Sequence, residues 1–181
     1  MEKHKILLNV LLAWTVVSCC SNNSIKRELK SFQSARIEFP ADMFSVKNRN
    51  VLEFQNPGRD NAFVVYHDST ECGMCAVSHI YDYLPLYERA ERSGDFSVMI
   101  IFSPRDSEYD EIMERLVMMD FPYSVYVDYS GNFAETNRCI PEDNRFHSFL
   151  LDKEGHPVFV GDPLASDRMM ELFKEALESL E

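Results

Sequence analysis

The chain has 181 residues, with 18 basic against 30 acidic side chains and a formal net charge of −12. That length suits one domain, or one domain with an extension, and can bury a real core. Hydrophobic residues at 45% and charged residues at 27% exclude disorder throughout. The acidic balance excludes a non-specific nucleic-acid binder, because no basic face is available to release counterions from phosphate.

Lys3 and Lys5 precede an apolar run over Ile6–Val17, broken only by Asn9 and Thr15, and Ser18-Cys19 follows. A basic start, a short apolar core and a small residue before a cut site make a secretory signal over residues 1–18. A buried core helix is the alternative, disfavoured by the terminal position and the polar stretch Cys19–Ser24. The end of the run, Val16-Val17-Ser18-Cys19, resembles a bacterial lipobox, and the resemblance implies lipidation of Cys19. Cys20 directly behind it is the other candidate, but Ser18 before Cys19 fits better. Past this run no apolar stretch approaches a membrane span. Membrane contact is therefore expected through the lipid anchor only. The expected location is the bacterial cell envelope, facing the periplasm or the surface, where disulfides persist.

Residues 19–35 read as a tether and N-terminal extension, with Ile25–Gln33 able to hold a turn or two of helix; the domain proper is expected over residues 36–181. Ile37–Phe39 and Val51–Phe54 read as short strands, with the polar segment Asp42–Asn50 unassigned between them. Asn56-Pro57-Gly58-Arg59-Asp60-Asn61 is a turn cluster. Ala62–His67, AFVVYH, crowds aromatic and β-branched residues together and predicts a buried strand. After a break at Asp68–Glu71, the residues Ala76, Ile80, Tyr83, Leu84 and Tyr87 recur at helical spacing. Pro85 should kink or split that helix near Tyr83. Ser97–Phe102, SVMIIF, predicts a second buried strand.

Ser107 is the expected cap of the next helix, whose inner stripe is Ile112, Met113, Leu116 and Val117. Tyr123–Val127 reads as a third strand and Tyr129–Arg145 as a long loop. His147–Leu151 and Pro157–Val160 flank Asp152–His156 as a hairpin, with Gly155 suited to positive φ. Ser166 caps a final helix striped by Met169, Leu172, Phe173, Ala176, Leu177 and Leu180. Met113, Met118, Met119, Met169 and Met170 read as core packing rather than as haem or copper ligands. Strand, helix, strand, helix, strand, hairpin, helix is an α/β order.

Cys72-Gly73-Met74-Cys75 lies between a buried strand and a helix, which makes the pair far more specific than two isolated cysteines. At a helix N-terminus Cys72 gains unpaired N–H groups and the positive end of the dipole, both favouring thiolate. Cys75, one turn on, can close a short disulfide, and Gly73 lowers crowding at the turn. The expected chemistry is attack by the Cys72 thiolate on a partner disulfide, with Cys75 resolving the mixed disulfide. A structural disulfide, or two reduced cysteines in a degenerate site, is the alternative. Cys139 reads either as a third redox cysteine or as a small buried hydrophobe beside Ile140. His79 follows Cys75 by four residues and is expected behind the pair or in solvent. No glycine-rich phosphate loop or convincing carboxylate pair supports a nucleotide-binding or hydrolase reading.

The strand Ala62–His67, the Cys72–Cys75 motif and the segment Ser148-Phe149-Leu150-Leu151-Asp152-Lys153-Glu154-Gly155 together resemble thioredoxin-fold proteins. The likeness is to lipid-anchored thioredoxin-like proteins of Bacteroides-type bacteria and, more loosely, to the exported TlpA/ResA group of thiol-disulfide reductases. It implies a thioredoxin-like fold with a central mixed β-sheet flanked by helices. It implies Cys72 as nucleophile and Cys75 as resolving residue, with no cofactor. The implied partners are a disulfide-bearing envelope protein and a membrane or periplasmic thiol donor.

Two positions depart from that pattern. The family usually has an aromatic residue before the first cysteine, where this chain has Glu71; an acidic neighbour should disfavour the thiolate. The family also has a proline six residues before its Asp, where this chain has Phe146, followed by His147. Loss of that proline favours a non-catalytic binding module for a protein or peptide. It also raises metal binding as a third reading, with Cys72 and Cys75 joined by His147, Cys139 or His67.

Overall fold

The computed structural model describes residues 23–56 and 60–180. The expected signal, the lipidation at Cys19 and residues 57–59 of the turn cluster lie outside the described residues.

A helix over residues 23–33 (α1) comes first, followed by a hairpin of β1 (Phe44–Lys47) and β2 (Asn50–Glu53). Next come β3 (Ala62–His67), α2 (Gly73–Ser78), a 3-10 turn at Ile80–Tyr83 and α3 (Leu84–Ser93). Then follow β4 (Ser97–Phe102), α4 (Tyr109–Met118), β5 (Val125–Val127) and α5 (Asn132–Thr136). A second 3-10 turn at Asn144–Phe146 leads into β6 (Ser148–Leu151), β7 (Pro157–Val160) and α6 (Asp167–Glu178). The seven strands form one mixed sheet in the order β2-β1-β5-β4-β3-β6-β7. β3 pairs parallel with β4 and antiparallel with β6, and β4 pairs parallel with β5.

β3 explains why the sheet is covered on both sides. Phe63 and Val65 join one core cluster with Val77, Ile80, Ile112, Leu116 and Phe173, which come from α2, the first 3-10 turn, α4 and α6. Ala62, Val64 and Tyr66 join a second cluster with Phe32 of α1, Phe133 of α5 and Phe149. Successive strand residues alternate between faces, so a strand buried on both reads as a continuous apolar run. Phe32 is fully buried and meets the Phe149 ring edge-on at 5.1 Å, which ties α1 to the sheet.

Several sequence expectations are corrected. Ile37–Phe39 makes no strand: the N–H and C=O of Glu38 are taken by the side chain of Asn137, and Ile37 N–H donates to the Gly155 carbonyl. The polar segment Asp42–Asn50 instead contains β1, turning into β2 through Asn48 and Arg49, both at positive φ. Two-residue hairpin turns ask for that conformation, and Asn tolerates it. Ser107 does not cap α4, which starts after Glu108 with no side-chain cap. Residues 105–108 close a turn of their own, from Glu108 N–H to the Arg105 carbonyl, and delay the helix. The stretch Tyr129–Arg145 is not a bare loop but holds α5 and the second 3-10 turn. Met118 is exposed rather than core, while Met113, Met119, Met169 and Met170 pack against the first cluster.

Other expectations stand. Pro85 sits in the first turn of α3, so the helical pattern is split after Tyr83. Gly155 takes φ +91° in the β6–β7 turn. Ser166 caps α6 by accepting the Met169 N–H at 3.2 Å.

Candidate active site

Cys72 and Cys75 lie just past the end of β3, the central strand. Asp68 builds the connection: its Oδ1 accepts from the Thr70 N–H at 2.8 Å and from the Thr70 hydroxyl at 2.6 Å. This Asx-type turn ends the strand and brings Glu71 back toward it. Cys72 is the extended residue preceding α2, at φ −76° and ψ 95°, and its sulfur accepts the Cys75 N–H at 3.3 Å. The two residues are joined as a disulfide, with Cα atoms 5.3 Å apart. Both are exposed.

The helix that follows is shorter than the sequence suggests. α2 has six residues before the 3-10 turn, so its dipole is small and the direct N–H contact to the Cys72 sulfur matters more. Gly73 is buried, and the crowding it relieves comes from α4: a Cβ there would run into Cδ1 of Ile112. His79 lies beyond α2, is exposed and pairs with Asp82 at 2.9 Å. His156 is 3.5 Å from Asp152 in the β6–β7 turn.

Glu71 is not the isolated acid that the sequence suggests. Its Oε2 accepts from Nδ1 of His67 at 2.7 Å, and its Oε1 lies 3.9 Å from Nδ1 of His147. The His67 ring stacks on Phe102 with centroids 4.9 Å apart. His147 is 3% exposed, and its Nε2 donates to the Pro141 carbonyl at 2.8 Å. Its Nδ1 is buried with no hydrogen-bond partner among the described residues. Tyr66 holds it from two sides, through ring contact at 5.3 Å and through the Tyr66 N–H to the His147 carbonyl at 2.9 Å. Burial pushes the Tyr66 phenol up to about 12, so it is neutral here.

The sequence pattern places His67 and His147 only as candidate metal ligands with the cysteine pair and does not bring either of them to Glu71. Two signals could have found the grouping. His67 and Glu71 are four residues apart across a tight turn. The antiparallel pairing of β3 with β6, in register Val65 to Ser148, sets residue 147 opposite residue 66.

Phe146 ends the second 3-10 turn half-buried, under the guanidinium of Arg145 at 5.7 Å. Pro141 is buried in the preceding segment and serves as the acceptor for His147. Cys139 is a free, half-buried cysteine packed with Ile140 against the second core cluster, whereas Met74, Ala76 and Val77 of the α2 segment belong to the first. Burial pushes the Cys139 thiol up. Among the described residues no group of three or more His, Cys, Asp or Glu side chains is placed to hold a metal ion.

A strand, a CxxC disulfide and a helix on a mixed sheet covered on both faces define a thioredoxin-like fold. Solved structures carry the same architecture. A thioredoxin-like protein from Porphyromonas gingivalis has a TM-score of 0.50 at 13% identity, over 81% of this chain and 94% of that one. A protein from Aquifex aeolicus has a TM-score of 0.50 at 14% identity, over 82% of this chain and 99% of that one. The thioredoxin domain of a thiol-disulfide oxidoreductase from Bacteroides vulgatus has a TM-score of 0.47 at 13% identity, over 80% and 99% of the two chains. For the two at a TM-score of 0.50, the likeness at these identities is one of fold. No protein-family model and no curated protein matches the chain. Among the described residues no helix is long and apolar enough to cross a membrane.

Proposed function

We propose that the protein is an exported, lipid-anchored thiol-disulfide oxidoreductase acting on disulfides of envelope proteins. The observation that carries this reading is the exposed Cys72–Cys75 disulfide at the start of α2, directly after the central strand. In the reduced form the Cys72 thiolate attacks a partner disulfide. A Cys72–partner bond forms, and one partner thiolate leaves. The Cys75 thiolate then attacks the Cys72 sulfur and releases the second partner thiolate. The partner gains two electrons, and the pair returns to the disulfide. A thiol donor in the membrane or periplasm restores the dithiol. Gly73 lets α2 approach α4, and Glu71, Phe146 and His147 shape the surroundings of the pair. The signal over 1–18 and the lipid at Cys19 would keep the domain at the envelope.

The test is the reduction potential of the pair, by thiol trapping in glutathione and dithiothreitol buffers. A form starting after Cys20 serves, with Cys139→Ser beside it. Reversible two-electron cycling in both forms is expected. A potential near −270 mV, roughly that of a reducing thioredoxin, marks an electron donor; one near −120 mV marks an oxidant. Absence of cycling sinks the catalytic reading.

Phe146 at the position of the family proline favours a second reading, a binding module for a protein or peptide. A partner held equally well after replacement of both Cys72 and Cys75 by serine would support it.

A further inference from the structure

We propose that Glu71, set between His67 and His147, forms a group that holds one proton and tunes the Cys72 thiol, with His147 as its positioning residue. This rests on the thiol-disulfide reading above and deepens it.

The geometry leaves a place for a proton. A carbonyl oxygen only accepts, so the Nε2 of His147 that meets the Pro141 carbonyl at 2.8 Å carries the hydrogen. In the neutral ring Nδ1 is then a bare lone pair. It is buried, has no hydrogen-bond partner among the described residues and lies 3.9 Å from a Glu71 oxygen. Two acceptors facing each other, one of them sealed from water, repel until a proton arrives on one of them. The other Glu71 oxygen is already satisfied by His67 at 2.7 Å, so the carboxylate cannot turn to find another donor without losing that bond. Both rings are fixed by the fold, His67 by its stack on Phe102 and His147 by Tyr66 and Pro141.

The consequence falls on the next residue in the chain. An unneutralised carboxylate beside Cys72 disfavours its thiolate; a proton held by the group removes that opposition. The group takes the proton of the Cys72 thiol as that thiol ionises, and the proton it then holds neutralises Glu71 beside the thiolate. The thiolate attacks the partner disulfide, and the departing partner thiolate takes the proton away. Other ionisable groups also face this cluster. Asp68 lies in the same turn and acts with Glu71 and Asp128 on Tyr66. Tyr83, on the first 3-10 turn, feels Glu71 together with Asp82 and Asp162. Asp143 lies near His147 and is engaged by Arg145. These carboxylates add negative charge, so the proton on the group is the local means of neutralising Glu71.

The test is alkylation of Cys72 in the full-length protein, solubilised in detergent and fully reduced with a phosphine. The rate at Cys72 alone is read by peptide mass spectrometry from pH 5.5 to 8.5. Wild type is compared with Glu71→Gln, a change at a partly exposed residue that leaves the core intact. The ratio of the variant rate to the wild-type rate should be near one at the acid end. It should rise to between about three- and tenfold over the pH range in which Cys72 is still largely thiol, and fall back once Cys72 is ionised in both proteins. In a background carrying His67→Asn and His147→Asn, the ratio should become constant with pH. A ratio already constant in the wild-type background overturns the proposal, whatever its value. So does a ratio that still rises when both histidines are gone. Alkylation needs no turnover, so failure here is distinct from failure of the pair to cycle.

Discussion

Asn137 binds the backbone of Glu38 much as a neighbouring strand would. Its Oδ1 accepts the Glu38 N–H at 2.8 Å, and its Nδ2 donates to the Glu38 carbonyl at 2.8 Å and to the Phe133 carbonyl at 2.8 Å. At 2% exposure the amide is sealed from water. Replacing Asn137 by Ala strands the N–H and C=O of Glu38, while the Phe133 carbonyl keeps the Asn137 backbone N–H, and should cost roughly 1–3 kcal/mol. Urea unfolding reads this directly, and a loss below about 1 kcal/mol would show that water takes over the bonds. Asn137→Asp is the sharper variant, because it keeps the acceptor and loses both donations.

Asp128 organises α5 in a comparable way. The residue is 1% exposed, and its carboxyl accepts from Ser103 Oγ at 2.8 Å, Phe133 N–H at 3.0 Å and Asn132 N–H at 3.1 Å. It therefore takes over the capping that Gly131 cannot perform. Asp128→Ala should destabilise by roughly 2–4 kcal/mol and speed amide exchange in α5 before the rest of the fold. Exchange that changes uniformly across the protein would contradict this local role.

Gly73 and Ile112 form a size-matched pair. Gly73→Ala forces the new methyl against Cδ1 of Ile112, and the overpacking should cost about 1–3 kcal/mol. Ile112→Val removes that carbon and alone should cost about 0.5–1.5 kcal/mol. Combined, the two changes should be less damaging than their sum. Strict additivity in a double-mutant cycle would count against the contact.

Tyr66 gives the fold an alkaline limit. Its phenol is raised from the ordinary 10 to about 12 by burial, so the folded state keeps the proton longer than the unfolded chain does. A raised value contributes stability that is complete below pH 10 and is lost as pH climbs toward 12. Tyr83 and Tyr87 are raised by the same cause and act in the same direction. Urea midpoints should fall between pH 9.5 and 11.5, and the fall should be shallower in Tyr66→Phe. An identical slope in the variant would remove Tyr66 from the explanation.

Much of the fold was legible because β3, β4 and α6 bury what their patterns advertise. AFVVYH and SVMIIF hold few polar atoms, and both became strands over the expected residues. The misses fall where a single polar side chain replaces a regular ladder or cap. Ile37–Phe39 has strand composition, but the side chain of Asn137, 99 residues on from Glu38, takes the backbone hydrogen bonds of Glu38. α5 depends on a carboxyl group lying before a glycine that reads as loop. At the site, the cysteine pair was plain from its spacing and context. The His67–Glu71–His147 grouping was not, since it needs the β3–β6 register to bring a distant histidine to the turn.

The early end of α2 at Ser78 has a mechanical meaning. Because α2 stops after six residues and the chain then tightens into a 3-10 turn, the cysteines are not mounted on one long rod. Val77 and Ile80 are anchored in the core, and the stretch between Cys72 and Val77 is barely more than one turn. Any change in sulfur spacing as the disulfide opens falls within that stretch, between Gly73 seated against Ile112 and Val77 in the core. α3 and the sheet beneath it are insulated from the event, so the oxidised and reduced forms should share one scaffold and differ mainly in the turn presented to a partner.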